Sequence, residues 1–176
     1  LHTDFVDAYW RSLRWQQTRW LGQAVGKPPA DLFAYQELIC RVKPDWVIET
    51  GSGNGGRALF LASICEMVGH GKVISVAQRA NRKRPRHPRL TYVVGDVAAP
   101  ATIEKVRAKT GGSSDGLVIL GARQPRRQTV AQFDAYAPFV AKGSYLVIED
   151  TIVNGHPVWP SFGTGPAEAV ADALMR

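Results

Sequence analysis

Over residues 46–62 an apolar run closed by an acid, a cluster of glycines and a second apolar run follow one another. Few folds accommodate that order. Trp46-Val47-Ile48-Glu49 reads as a buried strand, Thr50 to Gly56 as a turn of small residues, and Arg57 onward as a helix. Glycine has no Cβ, so such a turn accepts positive φ and lets a ligand approach the backbone, while the helix that follows offers unpaired N–H groups at its start. Gly51, Gly53 and Gly55 alternate, which differs from the dinucleotide fingerprint G-x-G-x-x-G, although Gly56 supplies a glycine at its last position. The turn therefore indicates a nucleotide-type ligand rather than NAD in particular. The alternative is a turn that is glycine-rich only for tight packing.

The rest of the chain repeats the same alternation. A helical pattern rich in tryptophan covers 4–25, Gly26-Lys27-Pro28-Pro29 breaks it, and Asp31 is placed to cap a helix running to Val42. After the strand at 46–49 and the helix at 57–68, strands are expected at 72–77, 90–94, 117–120 and 145–148. Helices are expected at 101–109, at 129–140 and from Pro166, a residue suited to a first helical position. Strands alternating with helices imply an α/β fold: a Rossmann-like, doubly wound, mostly parallel sheet with helices on both faces. With 176 residues there is room for one core. We divide it into an N-terminal helical extension at 1–30, placed to act as a lid or a dimer contact, and a ligand-binding domain at 31–176. In this architecture ligands sit outside the carboxyl ends of the strands, where Glu49, Ala77, Asp96, Gly121, Glu149 and Asp150 are all expected.

Composition narrows the function class. No apolar run approaches the ~20 residues of a membrane span, and no basic-then-apolar signal segment opens the chain, so a cytoplasmic location is expected. Cys40 and Cys65 lack metal-ligand or disulfide spacing and are expected as buried thiols. The chain opens on Leu1 and stops at Arg176 inside a helical pattern, as expected of part of a longer protein. The formal charge is +7, and Arg79, Arg82, Lys83, Arg84, Arg86 and Arg89 lie in an acid-free segment. No aromatic residues interleave these cations as a base-stacking platform would need, so a solvated loop is expected in preference to a nucleic-acid surface. Arg123, Arg126 and Arg127 are likewise expected as solvated charges at a helix start, with substrate clamps as the alternative.

Tyr35-Gln36-Glu37-Leu38-Ile39, Lys43-Pro44-Asp45, Ile48-Glu49-Thr50-Gly51, Gly143-Ser144-Tyr145 and Ile148-Glu149-Asp150-Thr151 form one set of motifs. Asn154-Gly155-His156-Pro157-Val158 and Phe162-Gly163-Thr164-Gly165-Pro166 extend it. From Trp20 onward this set resembles the cephalosporin hydroxylase and rhamnosyl O-methyltransferase family, whose members are similar to Rossmann-type S-adenosylmethionine-dependent methyltransferases. Some actinobacterial relatives methylate sugar hydroxyls, including those of methylmannose polysaccharides.

The resemblance implies an S-adenosylmethionine-dependent O-methyltransferase acting on a hydroxyl of a saccharide or related small molecule. It places the methionine end of the cofactor against Glu49, Gly51, Ser52, Gly53 and Asn54, the adenine side near Ala77, Gly95 and Asp96, and the reacting end near Gly121. Glu149 and Asp150 are implied as Mg²⁺ ligands, a hard ion suited to carboxylate oxygens. The alternative is direct general-base catalysis by Asp150 or His156. Two positions depart from the family pattern: Gly121-Ala122-Arg123-Gln124 stands where members with a full metal site carry Asp-Ser-Asp-His, and Ala77 stands where an acid commonly holds a ribose. Those departures keep a non-catalytic cofactor- or sugar-binding relative open as a second reading, and the arginine segment at 79–89 keeps a nucleic-acid methyltransferase or binder as a third. A homodimer is expected through the aromatic N-terminus.

Overall fold

The structure is a computed structural model that describes residues 2–51, 53–121 and 123–175. Its centre is strand β3 (Trp46–Thr50), flanked in parallel by β4 (Lys72–Ala77) and β6 (Gly116–Leu120). Strand β5 (Leu90–Val94) adds outside β4, and β7 (Leu146–Ile148) adds outside β6, giving the order β5-β4-β3-β6-β7. The chain builds outward on one side of β3, then crosses to the other side. The switch in strand order therefore falls between β3 and β6, where doubly wound folds bind their ligands.

Period-two alternation sends adjacent residues to opposite faces. Val47, Val73, Leu117 and Ile119 face one core with Leu32, Tyr35 and Ile39 of α2 (Pro29–Val42) and Phe60, Leu61 and Ile64 of α3 (Gly56–Val68). Ile48, Ile74, Val76, Val118 and Leu120 face the other, with Val106 of α4 (Pro100–Thr110), Tyr136 of α5 (Arg126–Tyr136), and Phe139. Helix α6 (Pro166–Leu174) packs beside α5, tied by Arg126 to Asp172 at 2.5 Å. Strands covered on both faces explain the continuous apolar runs of the sequence. Among the described residues no helix is long and apolar enough to cross a membrane.

The N-terminal region differs from the single helix expected over 4–25. Helix α1 covers only His2–Arg11, Leu13 turns the chain with φ 56°, and a short 3₁₀ turn spans Arg14–Gln17. A two-stranded antiparallel ribbon follows, β1 (Arg19–Trp20) and β2 (Gln23–Ala24). Leu21 and Gly22 both take positive φ, the two-residue turn whose twist matches a hairpin, so the glycine inside the apparent helical pattern was the local signal against a helix. Docking favours the ribbon: the Trp20 ring packs edge-on against Phe60, and its N–H donates to Ser63 Oγ at 3.1 Å. Two smaller expectations also change. Helix α2 begins at Pro29 after Pro28, so Asp31 lies within the first turn and does not cap it. Cys65 is buried as expected, but Cys40 is exposed.

Gly56 marks the seam between ribbon and domain, because a Cβ there would overlap the Ala24 carbonyl and lie 3.1 Å from the Val25 nitrogen. Gly56→Ala is expected to push the ribbon off α3 and lower stability by about 1–3 kcal/mol, with Trp20 becoming more exposed. Urea unfolding followed by tryptophan fluorescence measures both; an unshifted midpoint would show that the ribbon is not seated on α3.

Candidate active site

The carboxyl ends of β3, β6 and β7 converge on one buried cation. Arg57, the second residue of α3, donates through Nε to Glu49, through Nη1 to Glu149 and through Nη2 to the Thr50 carbonyl at 2.6 Å. Glu49 is fully buried, and its other oxygen accepts from Ser75 Oγ at 2.6 Å. Glu149 also accepts from the Tyr35 hydroxyl. Burial alone would raise the Glu149 carboxyl, but the charges of Arg57 and Lys27 and the hydrogen bonds from Tyr35 and Arg57 hold it below its ordinary value. For Tyr35 the balance is reversed: burial, then the negative charge of Glu149, pushes its phenol up.

This network fixes the glycine turn above it. Gly51, Gly53 and Gly55 all take positive φ, and Gly51 N–H donates to the Val76 carbonyl at 3.0 Å. Helix α3 has no side-chain cap, so its first N–H groups are left without side-chain acceptors. The basic segment is for the most part the solvated loop expected, but Arg84 folds back over this turn. Arg84 Nε donates to the Gly53 carbonyl at 3.1 Å and its guanidinium lies 5.4 Å from the Tyr92 ring centre, while Tyr92 donates to the Pro85 carbonyl at 3.0 Å. Arg89 is tied to the Gly71 carbonyl and Glu66. Arg79, Arg82, Lys83 and Arg86 are exposed.

A cleft of about 470 Å³ opens at the switch point. One wall is Gly51, Gly53, Asn54 and Arg57; the opposite wall comes from the N-terminal segment through Trp15, Gln16, Val25 and Lys27, with Arg123 and Asp150 completing it. Lys27 Nζ lies 3.1 Å from Glu149 and 3.2 Å from Asp150 Oδ1, so it bridges the two carboxylates. Asp150 holds φ 58°, a left-handed conformation that Asp tolerates better than most side chains. Among the described residues nothing bonds its second oxygen, Oδ2.

Of the residues singled out in the sequence, Gly51, Gly53, Asn54 and Asp150 line the cleft. Glu49, Gly121 and Glu149 lie in the layer beneath it. Ser52 lies outside the described residues. Gly121 is packed so closely that a Cβ would run into the Arg57 guanidinium and approach Glu149 Oε2 to 2.6 Å, so a side chain there would have to displace that network. Ala77 and Gly95 are joined by a hydrogen bond of 3.0 Å at the ends of β4 and β5, and Asp96 Oδ1 accepts from the Ala98 N–H. His156 is not brought to the cleft. Its ring lies 3.1 Å from Glu168, and it lines a separate recess with Thr3, Val6 and Ile152. Glu168 is held down at about 2 by the Gly165 N–H and Asn154.

Sequence reasoning missed Arg57, Ser75 and Lys27. Arg57 and Ser75 were visible as lone polar residues inside otherwise apolar runs. Lys27 looked like part of a helix-breaking loop. Arg123 is exposed as expected, but it does not hang free: its guanidinium lies 5.3 and 5.2 Å from the ring centres of Trp10 and Trp15.

The family model for rhamnosyl O-methyltransferase/CmcI matches residues 12–176. The chain is 36% identical over 166 residues to a rhamnosyl O-methyltransferase of Mycobacterium leprae, covering 92% of this chain and 72% of the relative. It is 33% identical over 167 residues to one of Mycobacterium bovis, covering 92% and 68%. Among solved structures, the apo form of CmcI superposes with a TM-score of 0.68 at 20% identity, covering 89% of this chain and 66% of that one. A Mg–SAM form of CmcI gives 0.67 at 19% identity over 89% and 66%. An O-methyltransferase of Bacillus cereus in complex with SAH gives 0.61 at 13% over 85% and 70%. This chain thus spans just under two thirds of the CmcI chain, and at these identities the superpositions establish a shared fold.

Glu149→Gln leaves Arg57 short of one buried carboxylate and is expected to cost about 3 kcal/mol or more in chemical denaturation. A carboxyl held below its ordinary 4.5 in the folded chain stabilises the fold above that value and loses the contribution as pH falls through the depressed one. The variant should therefore lose part of the acid sensitivity below about pH 4.5 that the parent shows. Identical stability-against-pH curves for the two proteins would remove Glu149 from this role.

Proposed function

The chain belongs to the rhamnosyl O-methyltransferase/CmcI family, and from that premise we propose that it is an enzyme transferring a methyl group from S-adenosylmethionine to a hydroxyl of a saccharide. The observation that carries this reading is the glycine turn, set on the Glu49–Arg57–Glu149 network, facing Asp150 across one cleft. The turn suits the cofactor because exposed, Cβ-free backbone at Gly51 and Gly53 admits close approach beside the start of α3. Gly51, Gly53 and Asn54 hold the methionyl end. Ala77, Gly95 and Asp96 border the adenosyl side, and Gly121 lies beneath the reacting end.

When bound, S-adenosylmethionine supplies an electrophilic methyl that an acceptor oxygen takes while the carbon–sulfur electron pair returns to sulfur. The chain's own work is alignment and removal of the hydroxyl proton. We assign the proton to Asp150 Oδ2, with Lys27 holding the other oxygen of that carboxylate in place. Magnesium fits less well. Lys27 occupies the point between Glu149 and Asp150 from which a cation would reach both, Glu149 is already engaged by Arg57 and Tyr35, and among the described residues no three His, Cys, Asp or Glu side chains converge.

The N-terminal segment acts in this reading as the lid side of the cleft, and exposed Phe5, Leu13 and Leu21 on it supply apolar surface for a homodimer. The acceptor belongs to polysaccharide biosynthesis and the reaction to the cytoplasm, where the cofactor is made. Commitment of Arg84 and Arg89 to the fold argues against the basic segment as a nucleic-acid surface. One observation favours a binding protein without turnover, the Lys27–Asp150 contact, since the lysine engages an oxygen that would otherwise be open to an acceptor hydroxyl. Detecting methylated product removes that reading.

Calorimetry with S-adenosylmethionine tests the main one; no heat with this ligand and a signal with NAD would defeat it. Gly53→Val is expected to abolish cofactor binding, since a β-branched residue is strained at φ 49°. Asp150→Ala is expected to bind the cofactor normally and to turn over about 10²–10⁴-fold more slowly. Unchanged methyl transfer to a rhamnoside or mannoside by that variant would move the base elsewhere.

A further inference from the structure

Arg123 follows β6 and lines the same cleft as the glycine turn. It sits on a platform built within the N-terminal segment: the Trp10 and Trp15 rings stack at 4.9 Å and 16°, and the Trp15 N–H donates to the Trp10 carbonyl at 3.2 Å. Trp15 is 7% exposed, so the platform is fixed from behind. A cation–π contact orients a guanidinium without neutralising it or using its N–H donors. The acids around the cleft are committed elsewhere, Glu49 and Glu149 to Arg57 and Asp150 to Lys27. Among the described residues no acid pairs with Arg123. The cleft thus presents one oriented and uncompensated fork, matched to a planar anion.

We propose that Arg123, seated on the Trp10–Trp15 pair, is the carboxylate-recognition residue of this cleft. A single free guanidinium suits a monoanion, whereas Lys27 and Arg57 are already neutralised by their own partners. The proposal rests on the methyltransferase reading for the identity of its two candidate sources, the methionyl carboxylate of the cofactor and a uronate carboxylate on the acceptor.

Calorimetry on the parent chain and Arg123→Gln, using S-adenosylmethionine, its decarboxylated analogue, methyl glucuronide and methyl glucoside, separates them. Arg123 is exposed, so the variant should keep the parent melting curve, and Arg123→Lys, which keeps charge but loses the fork, should fall between the two in affinity. If the source is the cofactor, Arg123→Gln binds S-adenosylmethionine about 10- to 100-fold more weakly and the decarboxylated analogue as the parent does. If it is the acceptor, S-adenosylmethionine is unaffected and the preference for glucuronide over glucoside disappears. Equal losses for S-adenosylmethionine and its decarboxylated analogue, or no loss for any ligand, overturn the proposal. A parent chain that binds no S-adenosylmethionine defeats the methyltransferase reading, and the glucuronide arm then decides the role of Arg123 alone.

Discussion

The buried guanidinium of Arg57 between Glu49 and Glu149 is the interaction on which the rest of the site depends. It joins the ends of β3 and β7 to the first turn of α3, across the point where strand order reverses. Such a pair is expensive to desolvate and is retained only with good geometry and additional hydrogen bonds. Here Ser75, Tyr35, Lys27 and the Thr50 carbonyl supply them. Two carboxylates against Arg57 and Lys27, with Asp150 sharing the lysine, leave little net charge beneath the cleft.

That arrangement gives one account of the departures from the family pattern. At position 121 a side chain would collide with Arg57 and Glu149, so the glycine there follows from a cation already occupying the space. Lys27 contributes a second fixed charge at the place where two carboxylates would otherwise call for a metal. The two changes are physically coupled: filling the region with side-chain cations removes both the room and the need for another acid.

How much of this was legible in the sequence depends on the range of the forces involved. The sheet was readable because fully covered parallel strands must be continuous apolar runs, and the boundaries of β4 and β5 fell where the pattern put them. The glycine turn was readable because positive φ has a residue signature. The N-terminal segment was not. Its aromatic residues fit a helix by spacing, Gly22 is the one local signal against it, and docking of Trp20 on Phe60 and Ser63, forty and forty-three residues away in the chain, decides for a ribbon. Charge pairing was equally hidden. Nothing local says that Lys27 meets Asp150, that Arg84 reaches Gly53, or that Arg123 finds two tryptophans; each pair joins segments whose separation only the topology closes.

The two walls of the cleft consequently differ in how they are held. The glycine wall grows directly out of β3 and is held from beneath by the Arg57 network. The facing wall, Trp15 to Lys27, is attached through the ribbon on α3 and through the Lys27 contacts with Glu149 and Asp150. One wall therefore follows from local chain geometry, whereas the other exists only because Trp20 reaches Phe60 and Ser63 and Lys27 reaches the end of β7, so the cleft depends on side-chain contacts that span most of the chain.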